Sequence, residues 1–147
     1  MATRLHARPE GELMVQASDV RLLVCDDDAM MRSLMQRSLK HMGFSQIFEA
    51  RDGAEALALA QARRPHIVIS DYDMPGMDGL ALVSALRADP LLRKIGFILL
   101  SGVADEEVVR RASEVGVNSF IRKPFSIADL RRRLDGLFFQ LTGSGIS

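Results

Sequence analysis

The residue pattern predicts a doubly wound α/β domain, in which a five-stranded parallel sheet carries helices on both faces. Short apolar runs without polar alternation recur along the chain, and such runs are typical of strands buried on both sides. Amphipathic stretches separate the runs, and strands that alternate with helices form parallel sheets through right-handed crossovers. The chain of 147 residues is 48% hydrophobic and 26% charged, which indicates one soluble domain.

Five apolar runs are predicted as strands because they are short, rich in strand-forming residues and bounded by turn or helix signals. They cover residues 22–25, 46–49, 67–70, 96–100 and 119–122. Amphipathic stretches lie between and after these runs, so the sequence also predicts five helices.

Three of the predicted helices show a clear apolar stripe at helical spacing. The inward residues are predicted to be Met31, Leu34, Met35, Ser38 and Met42 in the first helix, Val108, Val109, Ala112 and Val115 in the fourth, and Ile127, Leu130, Leu134, Leu137, Phe138 and Leu141 in the fifth. Asp28, Asp52 and Ser126 precede helical stretches and are predicted as N-caps. Glu55 stands three residues after Asp52, and Asp129 stands three residues after Ser126, which is the spacing of a capping box.

The two ends of the chain differ from the predicted domain. Residues 1–19 mix Arg, His, Pro, Gly and Glu without helical or strand periodicity, and we interpret them as a flexible N-terminal arm. The folded domain is predicted to cover residues 20–141, and residues 142–147 form a C-terminal tail. The N-terminus lacks the apolar stretch of a signal peptide, and no segment approaches the roughly 18 apolar residues of a membrane span. We therefore expect a cytoplasmic protein without membrane insertion.

Charge and cysteine content exclude several classes of protein. Lys plus Arg and Asp plus Glu each number 19, so no global basic field attracts nucleic acid directly. Cys25 is the single cysteine, which excludes an intramolecular disulfide, and the three histidines have no metal-ligand spacing with it. Since Cys25 lies inside a predicted strand beside acids that raise a thiol pKa, we interpret it as a small buried hydrophobe.

Acidic residues cluster where two predicted strands end. Asp26, Asp27 and Asp28 follow the first strand, and Asp71 and Asp73 follow the third. Ligand sites of open α/β sheets form beyond the carboxyl ends of the strands, so neighbouring first and third strands would bring several carboxylates together. Such a cluster is costly without a cation, and Mg²⁺ prefers oxygen ligands and commonly joins carboxylates to a phosphoryl group. The sequence therefore predicts a site for magnesium and phosphate.

The same strand ends carry the other groups that phosphoryl transfer needs. A carboxylate can be the nucleophile toward phosphorus, and Asp71 is the natural acceptor because it stands at a strand tip among acids. Lys123, after the fifth strand, can supply a positive charge to one phosphoryl oxygen. Ser101, after the fourth strand, can donate a hydrogen bond to another.

Four motifs, VCDDD, ISDYDMPGMDG, LLSG and FIRKPF, follow one another between about residues 21 and 141. In their order and spacing the chain resembles a receiver domain of two-component response regulators, and its layout is similar to the single-domain chemotaxis response regulator. The resemblance implies a flavodoxin-like (βα)5 fold with strand order 2-1-3-4-5.

The resemblance also implies a role for each acid of the cluster. Asp71 is the phosphoacceptor, Asp27 and Asp71 bind Mg²⁺ directly, and Asp26 acts largely through coordinated water. The backbone carbonyl of Asp73 completes the protein ligands. Asp28 is left outside the site because its position before the first helix is better explained by capping.

The remaining roles fall on the fourth and fifth strands. Lys123 takes the place of the family's lysine, whose bond to Pro124 is cis. Ser101 takes the place of the switch hydroxyl and Phe120 that of the switch aromatic, although a core role explains Phe120 equally well. Phosphorylation in the family alters the face made by the fourth helix, the fifth strand and the fifth helix.

A function follows from the resemblance. The phosphoryl group comes from a phosphohistidine on a sensor histidine kinase or a histidine phosphotransfer protein. The chain is then a signalling phosphoacceptor rather than an enzyme, with slow hydrolysis of its own aspartyl phosphate and a downstream protein as its target. It is expected to be a monomer or a phosphorylation-dependent dimer.

Two positions depart from the common pattern of the family. Asp73, two residues after the acceptor, is often an uncharged residue in relatives, and Val103 lies two residues after Ser101. Both positions influence the lifetime of the phosphate in the family, and the added carboxylate is expected to tighten cation binding.

Two alternative functions are compatible with parts of the sequence. The DxD of Asp71 and Asp73 is shared with aspartate-nucleophile phosphatases of the haloacid dehalogenase type, although their DxD stands on the first strand. A degenerate receiver that serves only as a scaffold is the other alternative, and the intact set of acids with Lys123 argues against it.

Overall fold

The computed structural model describes residues 5–7, 13–103, 105–143 and 145–146. Its central sheet has five strands, which are β1 (Arg21–Cys25), β2 (Gln46–Ala50), β3 (Ile67–Asp71), β4 (Gly96–Ser101) and β5 (Ser119–Arg122). All neighbouring strands of this sheet are parallel, and the spatial order is β2-β1-β3-β4-β5. The predicted flavodoxin-like fold and its strand order are therefore confirmed, with every strand bound within one residue of the prediction.

Five helices connect and follow the strands. They are α1 (Ala29–His41), α2 (Gly53–Arg63), α3 (Gly79–Ala88), α4 (Glu106–Glu114) and α5 (Ile127–Thr142). The predicted caps are confirmed: Asp28 accepts a hydrogen bond from the Met30 N–H, and Asp52 accepts one from the Glu55 N–H. Ser126 forms a reciprocal capping box with the third residue of α5. These bonds satisfy N–H groups that a helix start leaves without a partner.

The core consists of two apolar layers, one on each face of the sheet. Along β1, Leu22 and Val24 join the layer covered by α1 and α5, whereas Leu23 and Cys25 join the layer covered by α2, α3 and α4. The alternation follows from the strand geometry, because successive side chains point to opposite faces. Since both faces are covered, the strand needs apolar residues at every position, which is why the runs were visible in the sequence.

Four residues that were predicted to face inward are instead substantially exposed. They are Leu34 at 49%, Val109 at 42%, Ile127 at 45% and Leu141 at 40%. A helix that packs on one face of a sheet buries a narrow stripe, and in α1 the buried residues are Met35 and Leu39. Leu34 directly precedes Met35, so its side chain is rotated by about 100° around the helix axis and lies at the margin of the contact.

The two ends of the chain form a second, smaller sheet. Its strands are Leu5–Ala7, Leu13–Val15 and Gly145–Ile146. The first two pair in antiparallel fashion, and Val15 lies opposite Ile146 in a parallel pair. Val15 and Ile146 are buried in the layer of α1 and α5. These strands were not predicted from the sequence, because a pairing between distant chain ends leaves no local periodicity. The boundaries at residues 20 and 141 stay a prediction.

Within the described part of the chain, none of the helices combines the length and the apolar character that crossing a lipid bilayer requires.

Candidate functional site

The carboxylates predicted to cluster lie together at the carboxyl edge of the sheet. β1 and β3 are neighbours in register, so Asp26, which follows β1, and Asp71, which ends β3, reach the same edge. Asp26, Asp27 and Asp71 each place one carboxylate oxygen within 4.8 Å of the others. The neighbourhood follows from the parallel topology, because every strand of such a sheet ends on the same side.

Asp26 is held in a nearly closed environment. The Asp26 side chain accepts a hydrogen bond from the Asp28 N–H at 2.9 Å, and Asp26 as a whole is only 4% exposed. Burial raises the pKa of Asp26, and the negative charge of Asp71 raises it further, whereas the bond from Asp28 and the charge of Lys123 act in the opposite direction. A buried carboxylate with a raised pKa is a group that gains from a cation beside it.

Lys123 makes the one direct ionic contact to the candidate acceptor among the described residues. Its Nζ lies 2.6 Å from Asp71 Oδ1, and the two side chains are 27% and 10% exposed. The peptide bond between Lys123 and Pro124 is cis, as the resemblance implied. The ammonium of Lys123 therefore lies beside the carboxylate of the candidate acceptor.

Ser101 ends β4 and lines the cavity that contains the acidic cluster, but its hydroxyl is hydrogen-bonded within its own loop. It donates to the Val103 carbonyl at 2.7 Å and accepts from the Val103 N–H at 3.0 Å. Phe120 lies on β5 opposite Leu99, is partly buried against the layer of α2, α3 and α4, and does not line the cavity. The two candidate switch residues are thus on neighbouring strands but in different environments.

A single cavity of about 680 Å³ contains the whole acidic cluster. Its lining residues are Asp26, Asp27, Asp28, Met31, Asp71, Tyr72, Asp73, Asp78, Ser101, Gly102, Val103 and Lys123. Asp28 and Asp78 line it but also cap α1 and α3, where they accept backbone N–H groups. Asp73 also lines the cavity, and its residue is exposed to solvent there.

Two residues that support the site could not be identified from the sequence. The Arg32 guanidinium donates to the Asp26 carbonyl at 2.6 Å and lies 3.5 Å from a Glu49 oxygen, which ties the end of β1 to α1 and β2. Gly79 approaches the backbone of Asp71 so closely that an added Cβ would lie 2.6 Å from the Asp71 carbonyl oxygen. Neither contact follows a sequence period, because both join residues of different elements.

Cys25 takes no part in the chemistry of the cavity. Its side chain is buried, with Sγ 3.3 Å from the sulfur of Met74. Burial raises the pKa of the thiol to about 12, and neighbouring carboxylates add to the effect. A thiol of this kind is a poor nucleophile at neutral pH, so the prediction of a small buried hydrophobe is confirmed.

The donor set of the cavity suits magnesium. Asp26, Asp27 and Asp71 offer carboxylate oxygens, which are the ligands that a hard divalent cation prefers. Lys123 alone offsets only part of their negative charge, so a divalent cation would relieve the remaining repulsion. The residues present therefore fit the ion that the sequence predicted.

A doubly wound sheet with an acidic cluster at its switch point, and a lysine beside the acid of the third strand, defines a receiver domain of the kind used in two-component signalling. Residues 22–135 match the family model described as response regulator receiver domain. The chain belongs to this family, whose members are signalling proteins.

Individual relatives support the same assignment. The chain is 34% identical over 122 residues to a probable chemotaxis protein CheY of Rhizobium etli, which covers 83% of this chain and 95% of that protein. It is 34% identical over 123 residues to the chemotaxis protein CheY-3 of Vibrio cholerae, covering 84% of this chain and 95% of the relative.

Solved structures agree with the fold. The chemotaxis protein CheY4 of Vibrio cholerae superposes with a TM-score of 0.76 at 30% identity, covering 80% of this chain and 98% of that one. The receiver domain of a signal transduction histidine kinase from Syntrophus aciditrophicus gives a TM-score of 0.77 at 32% identity, covering 84% of this chain and 92% of that one. Receiver domains bind Mg²⁺ at an acidic pocket, and CheY-like members interact with histidine kinases and downstream targets.

The topology disfavours the phosphatase alternative. Asp71 ends β3 and Asp73 follows it, so the DxD lies on the third strand of the sheet in sequence order. In the haloacid dehalogenase type, by contrast, the DxD stands on the first strand. The shared Asp-x-Asp motif therefore occupies a different place in the fold.

Proposed function

We propose that the chain is a phosphoacceptor response regulator that receives a phosphoryl group on Asp71 from a histidine kinase or a histidine phosphotransfer protein. The observation that supports this most directly is the 2.6 Å contact between Lys123 Nζ and Asp71 Oδ1 inside the cluster formed with Asp26 and Asp27. A nucleophilic carboxylate, a lysine for the phosphoryl charge and oxygen ligands for a cation are the parts that phosphoryl transfer requires.

The proposed reaction is a displacement at phosphorus. A carboxylate oxygen of Asp71 forms a bond to phosphorus while the P–N bond of the donor phosphohistidine breaks. The imidazole nitrogen keeps the electron pair and takes up a proton, so the products are an acyl phosphate and a neutral histidine. Attack of water on the same phosphorus slowly returns the carboxylate and releases inorganic phosphate.

The acids of the cavity have a second proposed role as ligands. Asp26, Asp27 and Asp71, together with the backbone carbonyl of Asp73, would hold Mg²⁺, with Asp26 acting largely through water. The ion, when bound, supplies positive charge to the phosphoryl oxygens. Arg32 acts as a positioning residue, because it holds the backbone of Asp26 rather than the reacting group.

The output of the reaction is proposed to be a change in the face made by α4, β5 and α5. Ser101 would exchange its bond to Val103 for one to a phosphoryl oxygen, and this exchange would release the loop between β4 and α4. Phe120, partly buried on the neighbouring strand, would then move inward. A local charge event would thereby bias the surface offered to a downstream protein.

The decisive experiment is intact-mass measurement after treatment with acetyl phosphate, with and without Mg²⁺. We expect a gain of one phosphoryl group that requires the cation and is lost in Asp71→Asn. Asp78→Asn is the matched control, because this residue lines the same cavity and asparagine caps a helix as well as aspartate does. Uptake by Asp71→Asn, or no uptake by the natural sequence, would overturn the proposal, and the second outcome would restore the scaffold alternative.

Several broader assignments belong to the same proposal. The chain is proposed to act in the cytoplasm, without direct contact to nucleic acid, as a monomer or a phosphorylation-dependent dimer. Its receiver domain is proposed to cover residues 20–141, between an N-terminal arm at residues 1–19 and a tail at residues 142–147. The time course of the mass measurement also reports the rate of self-dephosphorylation.

A further inference from the structure

We propose that a groove between β5 and α5 binds an acidic segment of the downstream protein. We name it the arginine groove and define it by Arg122 on β5 and by Arg132, Arg133 and Gly136 on α5. The inference rests on the proposed function, because it specifies the partner chemistry of the face that phosphorylation is proposed to change.

The arginine groove consists of two adjoining depressions, of about 630 and 260 Å³, which share Arg132 and Arg133. The first is also lined by Ile121, Arg122, Pro124 and Asp129, and the second by Asn118, Ser119, Gly136, Leu137 and Gln140. In the part of the chain that the structure describes, β5 pairs with β4 alone, so it is the edge strand of the sheet. The two depressions therefore adjoin at α5, and residues of the edge strand β5 contribute to the lining of both.

The charge of the arginine groove is strongly one-sided. Arg132 pairs with Asp129, which is the one carboxylate among the described residues that line the groove. Arg122 and Arg133 are exposed, and neither forms an ion pair or a side-chain hydrogen bond with any residue that the structure describes. Since the chain carries no net charge, the excess is local to this surface.

Carboxylates are the complementary groups for this surface. A guanidinium binds a carboxylate through two parallel hydrogen bonds, which makes arginine suited to acidic side chains of a protein. A nucleic acid is less favoured, because it needs a broad basic field, whereas the chain as a whole carries no net charge. The occupant is therefore an acidic segment of a protein.

Gly136 adds an observation independent of charge. It stands inside α5 and is exposed, and an added Cβ would meet no atom within 4 Å among the described residues outside its own helical turns. The packing of this chain thus has no need of glycine there, although glycine inside a helix destabilises it relative to alanine. A bare backbone facing the groove permits close approach of a partner chain.

The test uses the full chain and two fluorescein-labelled peptides, one rich in Glu and one in which each Glu is replaced by Gln. Fluorescence anisotropy gives the affinity after treatment with acetyl phosphate and Mg²⁺, and amide chemical shifts locate the contact. We expect the Glu peptide to shift the amides of β5 and α5 and to bind more tightly than the Gln peptide.

Variants distinguish binding at the arginine groove from a general effect of positive charge on peptide binding. Arg133→Glu and Arg122→Glu are each expected to lower the affinity for the Glu peptide about tenfold or more. Arg37→Glu makes the same charge change at an exposed arginine of α1, which forms no ion pair among the described residues, and is expected to leave the affinity unchanged. Gly136→Leu is expected to weaken binding while the circular dichroism spectrum is retained and Tm is equal to or slightly above that of the natural sequence.

Four results would overturn the inference. Two concern the peptides: equal binding of the Glu and Gln peptides, and unchanged affinity of the Glu peptide in Arg133→Glu. The other two are displacement of the Glu peptide by a DNA oligonucleotide at equal charge concentration, and a dimer in sedimentation that Arg133→Glu dissociates. The intact mass of the same samples reports phosphate uptake, so failure of this inference can be distinguished from failure of the proposed function. Uptake of phosphate with no effect of the arginine variants refutes the groove alone, whereas arginine-dependent binding without uptake refutes the phosphoacceptor role alone.

Discussion

The hydroxyl of Ser101 and the backbone of Val103 form a closed pair of hydrogen bonds at the end of β4. The hydroxyl donates to the carbonyl at 2.7 Å and accepts from the N–H at 3.0 Å, while Ser101 itself is 1% exposed. A hydroxyl has one proton to donate, so it cannot serve the Val103 carbonyl and a phosphoryl oxygen at the same time. Its release from the loop is therefore coupled to any new bond that it makes in the cavity.

Ser101→Ala tests this pair of bonds. Loss of the hydroxyl leaves the Val103 groups without their partner and is expected to lower the free energy of unfolding by about 1 kcal/mol. Urea unfolding measures the change, and Ser113→Ala on the exposed face of α4 should change it by less than about 0.5 kcal/mol. We also expect phosphate uptake to persist while the amide shifts that it causes on β5 become smaller. Full shifts in the variant would exclude a switching role for the hydroxyl.

Lys123→Met removes the cation beside Asp71. Because the carboxylates then lack their ammonium, we expect Mg²⁺ to bind several-fold more tightly, which corresponds to roughly 1 kcal/mol of screened charge interaction. Phosphate uptake should fall at the same time. Tyr72 is the single tyrosine of a chain without tryptophan and lines the cavity, so its fluorescence can follow the titration. Lys94→Met, at an exposed lysine, is the control. Weaker Mg²⁺ binding in Lys123→Met would contradict the expected balance of charge.

Asp73→Asn tests the additional carboxylate at the cavity. The side chain is exposed, so its effect on the cation is screened, and we expect a loss of Mg²⁺ affinity of about twofold to tenfold at low salt that shrinks as salt is added. The Tyr72 titration measures this change. Asp89→Asn, outside the cavity lining, should have no effect. An unchanged titration in Asp73→Asn would mean that this carboxylate does not reach the ion.

Gly79→Ala tests the close approach of α3 to the acceptor strand. The new Cβ would lie 2.6 Å from the Asp71 carbonyl oxygen and 3.1 Å from the Tyr72 Cα, and backbone atoms cannot yield as a flexible side chain can. We expect a loss of about 1–3 kcal/mol in the free energy of unfolding and slower phosphate uptake. Gly136→Ala, where space is open, should instead raise the free energy of unfolding by about 0.5–1 kcal/mol. Equal effects of the two substitutions would show that crowding at Asp71 is not the cause.

His66 is expected to make stability depend on pH. Burial lowers its pKa, the charge of Arg21 lowers it further, and its Nδ1 accepts a hydrogen bond from the Arg21 N–H at 2.9 Å. The unfolded chain therefore binds the proton first, so this contribution to stability is complete above the ordinary pKa of 6.5 and is lost as the pH falls below it. Urea unfolding at a series of pH values should show the decline, and His66→Gln should reduce it. His41→Gln, at an exposed histidine, should retain the full decline. A curve that is unaffected by His66→Gln would assign the dependence to other groups.

The parts of the structure that could be predicted are those in which the physics is local. Strands buried on both faces require continuous apolar runs, so their bounds were predictable to within one residue. Caps were predictable because Asp28 and Ser126 bond to N–H groups two or three residues away. Helix faces were less predictable: Leu34 and Ile127 fit an apolar period but lie at the margins of their contacts. Periodicity indicates a direction around the helix, whereas the packed sheet decides how wide the buried stripe is.

The sequence by itself determined the order of strands and helices, and it determined which acids, lysine and hydroxyl stand at strand ends. Parallel topology then requires those ends to share one edge. Only the tertiary structure decided that Lys123 contacts Asp71, that Arg32 holds the backbone of Asp26, that Ser101 is engaged by Val103, and that the two chain ends pair as strands. The reason is physical, because such contacts depend on the distance between elements and on competition among partners, neither of which is encoded in the spacing of residues along one element.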